Sequence, residues 1–305
     1  MLKTTLGKFE LDGIFTNGSG ANDDTLDKLM QIASSRAGFI TAKTTTVQMR
    51  PGNPGPRFYI LGNNTINSMG LPNPGYLEMA EKVKELKKST KKPVFFSMSG
   101  FSAEETELLA ENLGKVADAL ELNLSCPNIG SKSQIIYNPQ KCQEFIKAAR
   151  SKFSGTLAIK AGPFMDAGAQ EAFCEIAKNN GVDVLVAINT IGNAMYIDSE
   201  SQRIMLKNKW GGLGGEAIKM LGWGNVRRYH EYFKGSMPIV GCGGISTGKD
   251  AFAYALAGAS AFACASLLYK EGAGCFSKME IELEAELQKH GYSNLQEAVG
   301  KAKEF

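Results

Sequence analysis

Histidine is almost missing from this chain: His230 and His290 are the only two in 305 residues. Both fall in helical stretches beside charged side chains, so a reaction that needs a general base has to find it elsewhere. Excess charge of one sign is missing too. Lys and Arg number 34 against 31 Asp and Glu, a net +3, far from the basic balance by which nucleic-acid-binding chains hold phosphates. No apolar run approaches the ~20 residues that span a bilayer, and Met1–Gly20 lacks the charged-then-apolar order of a secretory leader. Neither nucleic acid nor membrane is an expected partner. The six cysteines (Cys126, Cys142, Cys174, Cys242, Cys264, Cys275) form no Cys-x-x-Cys pair. Several sit inside apolar or helical runs, which fits reduced thiols of a cytoplasmic protein better than disulfides or a metal centre.

What is present is alternation. Short apolar or β-branched runs recur at Gly13–Asn17, Gly38–Lys43, Pro93–Ser99, Ala119–Ser125, Thr156–Ala161, Val182–Asn189, Met237–Gly241 and Ala261–Ala265. Helical patterns follow them: Asp24–Arg36, Tyr76–Ser89, Ala103–Val116, Pro139–Lys152, Gln170–Asn179, Glu216–Phe233, Gly248–Ala257 and Cys275–His290. Near-continuous apolar strands between amphipathic helices imply a parallel sheet buried on both faces. Eight such units predict an α/β fold, a closed (β/α)8 TIM barrel, as one domain over residues 1–305. A doubly wound open sheet is the alternative. Long connections follow the second, fourth and sixth strands, at Thr44–Gly75, Pro127–Asn138 and Thr190–Gly215, so all three cover the C-terminal face. In the first, Arg50–Arg57 and Asn67–Asn73 are rich in Pro and Gly, which predicts an irregular but ordered backbone.

Barrels place their chemistry at strand C-termini. There the chain offers Asn17-Gly18-Ser19-Gly20, Lys43-Thr44, Asn123 through Cys126 to Asn128, Lys160, Asn189-Thr190, Gly241-Cys242-Gly243-Gly244 and Ala265-Ser266. Glycines after the seventh strand lead to Ser246-Thr247-Gly248 at a helix start, an arrangement suited to a phosphate. Lys43 and Lys160 end apolar strands, where a buried ammonium needs an anion or carbonyl. They could support an electron-rich flavin ring or, as an imine, a lyase. Cys126 lies between Asn123 and Asn128, amides suited to a flat ligand with carbonyls and ring N–H groups. Its thiolate could act as base or nucleophile. Gly212-Leu213-Gly214-Gly215-Glu216-Ala217 fits a loose dinucleotide pattern. The preceding Lys207–Trp210 is no buried strand, so close backbone approach to a flat cofactor is the preferred reading.

Taken together, Lys43-Thr44, Gly52–Arg57, Ile66–Asn73, Asn123–Asn128, Asn189–Asn193, Gly211–Gly215 and Gly241–Gly244 resemble the dihydroorotate dehydrogenase family, specifically its soluble class 1A branch, along the whole chain. Cys126 stands where the membrane-attached class has serine, and that class carries an apolar N-terminal extension. The resemblance implies oxidation of dihydroorotate to orotate in de novo pyrimidine (UMP) biosynthesis, with FMN as cofactor, fumarate returning to succinate at the same site, and a homodimer. It implies Cys126 as the base for the C5 proton, with hydride leaving C6 for flavin N5. Substrate would be held by Lys43, Asn67, Met69, Gly70, Leu71, Asn123, Asn128, Asn189 and Thr190. Flavin would be held by Gly18, Ser19, Lys43, Thr44, Asn123, Lys160, Ile188, Gly215, Gly243, Gly244, Ala265 and Ser266. The chain departs from the family pattern at Ile129–Ser133, at Ala161-Gly162-Pro163, at Ala265-Ser266 and at Met220. Within flavin chemistry the alternatives are another FMN-dependent pyrimidine oxidoreductase or a class 1B-like subunit with a different electron acceptor.

Overall fold

The computed structural model describes residues 2–20, 22–125 and 134–304. Eight parallel strands form one sheet: β1 (Phe15–Thr16), β2 (Ile40–Thr45), β3 (Val94–Met98), β4 (Ala119–Asn123), β5 (Thr156–Ala161), β6 (Val184–Ala187), β7 (Ile239–Cys242) and β8 (Ala261–Ala263). Each pairs with its chain neighbours, and β8 returns to pair with β1 through Phe262↔Phe15. The remaining seam, β1 against β2, is closed differently. Gly38 N–H donates to Phe15 O at 2.8 Å. The Asn17 amide then spans the gap, accepting from Thr41 N at 2.9 Å and donating to Thr41 O at 2.8 Å. A side chain thus imitates a strand partner and completes the barrel, so the open-sheet alternative falls.

Strand alternation sorts the core into two. Ile40, Ala42, Leu120, Leu122, Leu157 and Ile159 face outward against the helices, whereas Phe39, Phe95, Ala119, Ala158, Val186 and Val240 face inward. Because side chains repeat every second residue, Lys43, Asn123 and Lys160 share the inward face with Phe39, Ala119 and Ala158, one or two repeats nearer the C-terminal mouth. The opposite end is plugged by a hairpin, Thr4–Leu6 with Phe9–Leu11, which no sequence pattern had marked. Its Leu6 and Leu11 join the inner core, and Phe9 meets Phe95 at 5.8 Å.

All eight expected helices form, several with ends set by caps. The first starts at Leu26 rather than Asp24 because the Thr25 side chain accepts from Lys28 N, and the fifth starts at Ala167 because Asp166 caps it. The stretch from Glu216 is a short 3-10 turn that becomes α-helix only at Lys219. The eighth strand is shorter than expected. Cys264 N–H makes the last ladder bond, to Thr16 O, while the Cys264 carbonyl already accepts from Leu268 N. Ala265 and Ser266 therefore open a short helix, Ala265–Glu271, and do not extend the strand.

The long loops differ most from expectation. The excursions after β2 and β6 meet over the barrel mouth as a four-stranded antiparallel sheet. Its strands are Phe58–Leu61, Asn64–Asn67, Gly211–Gly215 and Ile191–Ala194, with Gly212 opposite Asn67 and Gly215 opposite Asn64. A smaller hairpin, Ile197–Asp198 with Arg203–Ile204, projects beyond it. The irregular backbone expected at Arg50–Arg57 and Asn67–Asn73 is found there, Asn67 apart, while the strands between and beyond those segments make a regular roof.

Candidate active site

A cavity of about 1120 Å³, counting its open mouth, lies between the barrel strand ends and this roof. Its ring of polar side chains is held by internal contacts. Lys160 Nζ donates to Ser19 O at 3.0 Å and Ser19 Oγ at 2.9 Å. Lys43 Nζ lies 3.5 Å from Asp23 Oδ1, and Asp23 also receives the Gly20 N–H. Both lysines are under 10% exposed, at 7% and 6%, so both are buried ammoniums as expected. Burial pushes the Asp23 carboxyl above its ordinary range, and the Lys43 charge pulls it part of the way back. Asp23 had no sequence signal beyond lying three residues past a glycine turn.

A second group runs across β4, β5 and β6. Asn123 donates to Thr44 Oγ1 at 3.3 Å, and Thr44 is linked to Ser97 at 2.9 Å. Asn123 Oδ1 accepts from Ser125 N at 3.2 Å. The Ser125 hydroxyl donates to Lys160 O at 2.9 Å, and Asn189 Nδ2 reaches Ser125 Oγ at 3.1 Å and Ser125 O at 3.2 Å. Asn189 Oδ1 takes the Thr190 N–H at 2.7 Å. Ser125, fully buried, is thereby held through its amide, hydroxyl and carbonyl. It immediately precedes Cys126. Cys126 and Asn128 lie outside the described residues, as do Ile129–Ser133.

From the roof come Asn67, Met69, Gly70 and Leu71. The proline- and glycine-rich segment before them explains their placement. Asn53 N–H donates to Met69 O at 2.9 Å, Asn53 Nδ2 to Ser68 O at 2.8 Å and Arg50 Nε to Gly70 O at 3.3 Å. Those carbonyls are tied away behind the segment. A Cβ at Gly70 would lie 2.5 Å from Asn53 Oδ1, so glycine is needed there. Asn67 Nδ2 meets Gly212 O at 3.3 Å, joining the two halves of the roof.

The far end of the cavity is mostly backbone. Gly215, Gly243 and Gly244 have φ of +85°, +122° and +71°, a region that side chains strain to adopt. A Cβ on Gly244 would lie 2.6 Å from Gly215 O, and one on Gly215 would lie 2.3 Å from Asn63 O. Ser266 Oγ lies 3.5 Å from Thr65 Oγ1. The helix start at Ser246-Thr247-Gly248 does not offer its amides to the cavity. Ser246 and Thr247 donate to Asp250 Oδ2, and Gly248 donates to Glu282 Oε2. An anion at this end would meet the Gly243–Ile245 backbone instead. The loose dinucleotide stretch is a roof strand packed so closely that a Cβ at Gly212 would sit 2.2 Å from Thr190 Oγ1.

Thus Ser19, Lys43, Thr44, Asn67, Met69, Gly70, Leu71, Asn123, Lys160, Ile188, Asn189, Thr190, Gly215, Gly243, Gly244, Ala265 and Ser266 share one wall, while Gly18 falls just outside it. Sequence reasoning missed Phe58, Thr65, Tyr269 and Cys264 in that wall, and named Cys242 at its strand end without a role. Phe58 and Tyr269 stack obliquely at 5.3 Å, and Tyr269 donates to Gly20 O at 2.7 Å. Burial raises both thiols, Cys264 well above the ordinary value, so neither is a ready thiolate. Among the described residues no cluster of His, Cys, Asp or Glu could hold a metal ion, and no helix is long and apolar enough to cross a membrane.

A family model described as dihydroorotate dehydrogenase matches residues 1–287. Dihydroorotate dehydrogenase A (fumarate) of Lactococcus lactis subsp. lactis is 36% identical over 310 residues, covering 99% of each chain. Dihydroorotate dehydrogenase (fumarate) of Lachancea kluyveri is 36% identical over 296 residues, covering 94% of this chain and 93% of the relative. In shape, the structure of DHODH in complex with ferulenol from Eimeria tenella superposes with a TM-score of 0.86 at 22% identity, over 98% of this chain and 88% of that one, which bears on the fold. The chain belongs to the dihydroorotate dehydrogenase family.

Proposed function

We propose that this chain, as a single domain over residues 1–305, oxidises (S)-dihydroorotate to orotate with FMN as cofactor and fumarate as the final acceptor. One observation carries the reading: a single cavity gathers two buried lysines, two strand-end asparagines and a glycine-lined end, in a chain alike at full length to enzymes named for this reaction. That naming also disfavours the alternative with a different acceptor.

The residues present suit FMN. Gly215, Gly243 and Gly244 line one end of the cavity with backbone, and a Cβ at Gly215 or Gly244 would strike neighbouring backbone, so that end stays open to close approach by an anionic tail. Lys43 and Lys160 are buried cations at the opposite end, where an electron-rich ring gains most from them. Ser19, Thr44, Asn123, Ile188, Ala265 and Ser266 would line the space between, with Gly18 supporting Ser19. What the flavin supplies when bound is a two-electron hydride acceptor.

The chain's own part is positioning and proton transfer. Asn67, Asn123, Asn128 and Asn189 would offer amide donors and acceptors to the pyrimidine carbonyls and N–H groups, and Lys43 would meet its carboxylate. Met69, Gly70, Leu71 and Thr190 would close the slot around it. Cys126 Sγ would remove the C5 proton, next in the chain to the anchored Ser125. Exposed Ile60, Ile197, Ile204 and Trp210, on the roof strands and the stretches joining them, support a homodimer formed through that face. The protein would act in the cytoplasm, in pyrimidine biosynthesis. The test is anaerobic spectroscopy. The purified chain should be yellow, bleach with dihydroorotate and recover colour with fumarate; a colourless chain after gentle purification sinks the flavin reading.

A further inference from the structure

Tyr254 lies outside the cavity wall, on helix Gly248–Ala257, and is fully buried. Its hydroxyl donates to Gly243 O at 2.7 Å and lies 3.1 Å from Cys242 O. The ring occupies a slot cut for it. A Cβ at Gly222 would sit 1.9 Å from the hydroxyl oxygen, and one at Gly241 would sit 2.6 Å from the ring carbon Cδ1. Trp223 meets the ring edge-on at 6.3 Å. Burial pushes the phenol well above its ordinary value, so it remains a proton donor.

The peptide it holds joins Gly243 to Gly244, with φ of +122° and +71°. No side chain on either residue resists rotation of that peptide plane, and glycine leaves it several low-energy orientations. In a trans peptide the N–H points opposite the C=O. With Gly243 O turned outward to Tyr254, the Gly244 N–H is turned toward the cavity that both glycines line. We infer that Tyr254 is a positioning residue for phosphate recognition: it locks the Gly243-Gly244 peptide with its donor facing the anion, so that the site prefers a phosphorylated flavin to the unphosphorylated one. The contact with Cys242 O, which also accepts from Ile188 N at 2.7 Å, ties the same lock to the end of β7.

This inference rests on the FMN reading, and its test separates the two. The full-length chain is stripped of flavin and titrated with FMN and with riboflavin, following quenching of flavin fluorescence. For Tyr254→Phe, FMN should bind about five- to tenfold more weakly, as loss of one hydrogen bond holding a donor implies, while riboflavin changes less than about twofold. Should Tyr254→Phe not fold, Gly222→Ala displaces the hydroxyl without removing it and should cause the same selective loss. Equal weakening of both flavins would reduce Tyr254 to a packing residue and overturn the inference, as would unchanged binding of both. A native chain that binds both flavins equally overturns it too, with the flavin reading intact. A native chain that binds neither brings down the flavin reading itself.

Discussion

The two ends of the cavity are built from different materials. At one, Gly215, Gly243 and Gly244 present backbone at φ that side chains strain to adopt, and neighbours approach Gly215 and Gly244 so closely that no side chain fits. At the other, Lys43, Lys160, Asn123 and Asn189 present side chains, each already bonded to Asp23, Ser19, Thr44 or Ser125. On the proposed function, the backbone end would recognise shape and charge and has little freedom to vary. The side-chain end would support the chemistry and needs an internal scaffold to keep polar groups satisfied in a buried place. A substitution at the first end should therefore act on binding, and one at the second on turnover.

The sharpest use of that contrast is Cys126→Ser. Flavin reduction by dihydroorotate at pH 7 should slow by about 10²–10⁴-fold, because a hydroxyl is a far weaker base, while FMN affinity stays unchanged. Stopped-flow reduction near the native rate would remove Cys126 from the mechanism. At the other end, Gly244→Ala should lose bound FMN. The added carbon would meet Gly215 O at 2.6 Å, with a strained backbone costing about 1–2 kcal/mol besides. Full flavin occupancy in that variant would break the comparison.

Asn189→Ala should be milder, raising KM for dihydroorotate by about tenfold and weakening the hold on Ser125, with flavin content intact. A drop in flavin content without a KM change would assign Asn189 to the wrong end. The smallest effect expected is in pH dependence. Burial raises the Asp23 carboxyl in the folded state, so its contribution to stability is complete below its unfolded value and declines as pH rises through the folded one. Asp23→Asn removes that decline, so its melting temperature should change less than the native chain's between pH 4 and pH 8. Parallel melting curves for the two proteins would show that the carboxyl is not raised.

The barrel was largely legible because its strands are buried on both faces and so read as apolar runs; β4 and β5 are examples. Strand-end polar residues were legible for the same reason, since Lys43 or Lys160 interrupts such a run visibly. The roof was not. Gly211–Gly215 has no side chains that favour a strand, and it becomes one because Asn64–Asn67 lies beside it. Asp23 and Tyr254 escaped notice because their place is set by the residues they touch, Lys43 and Gly243. Such contacts depend on which chain segments meet. The helix start after β7 was misjudged because Asp250 and Glu282 take the amides that the glycine pattern had assigned to an anion.

By itself, the order of apolar and polar residues determined the parallel barrel and the layer of polar groups at its mouth, because side-chain alternation along a strand is local geometry. Only the tertiary structure decided how the barrel closes through Asn17 and Thr41, how two distant loops pair into a roof, and which buried groups brace the reactive ones. Those outcomes depend on contacts between segments far apart in the chain, where a hydrogen bond goes to whichever partner packing brings within reach.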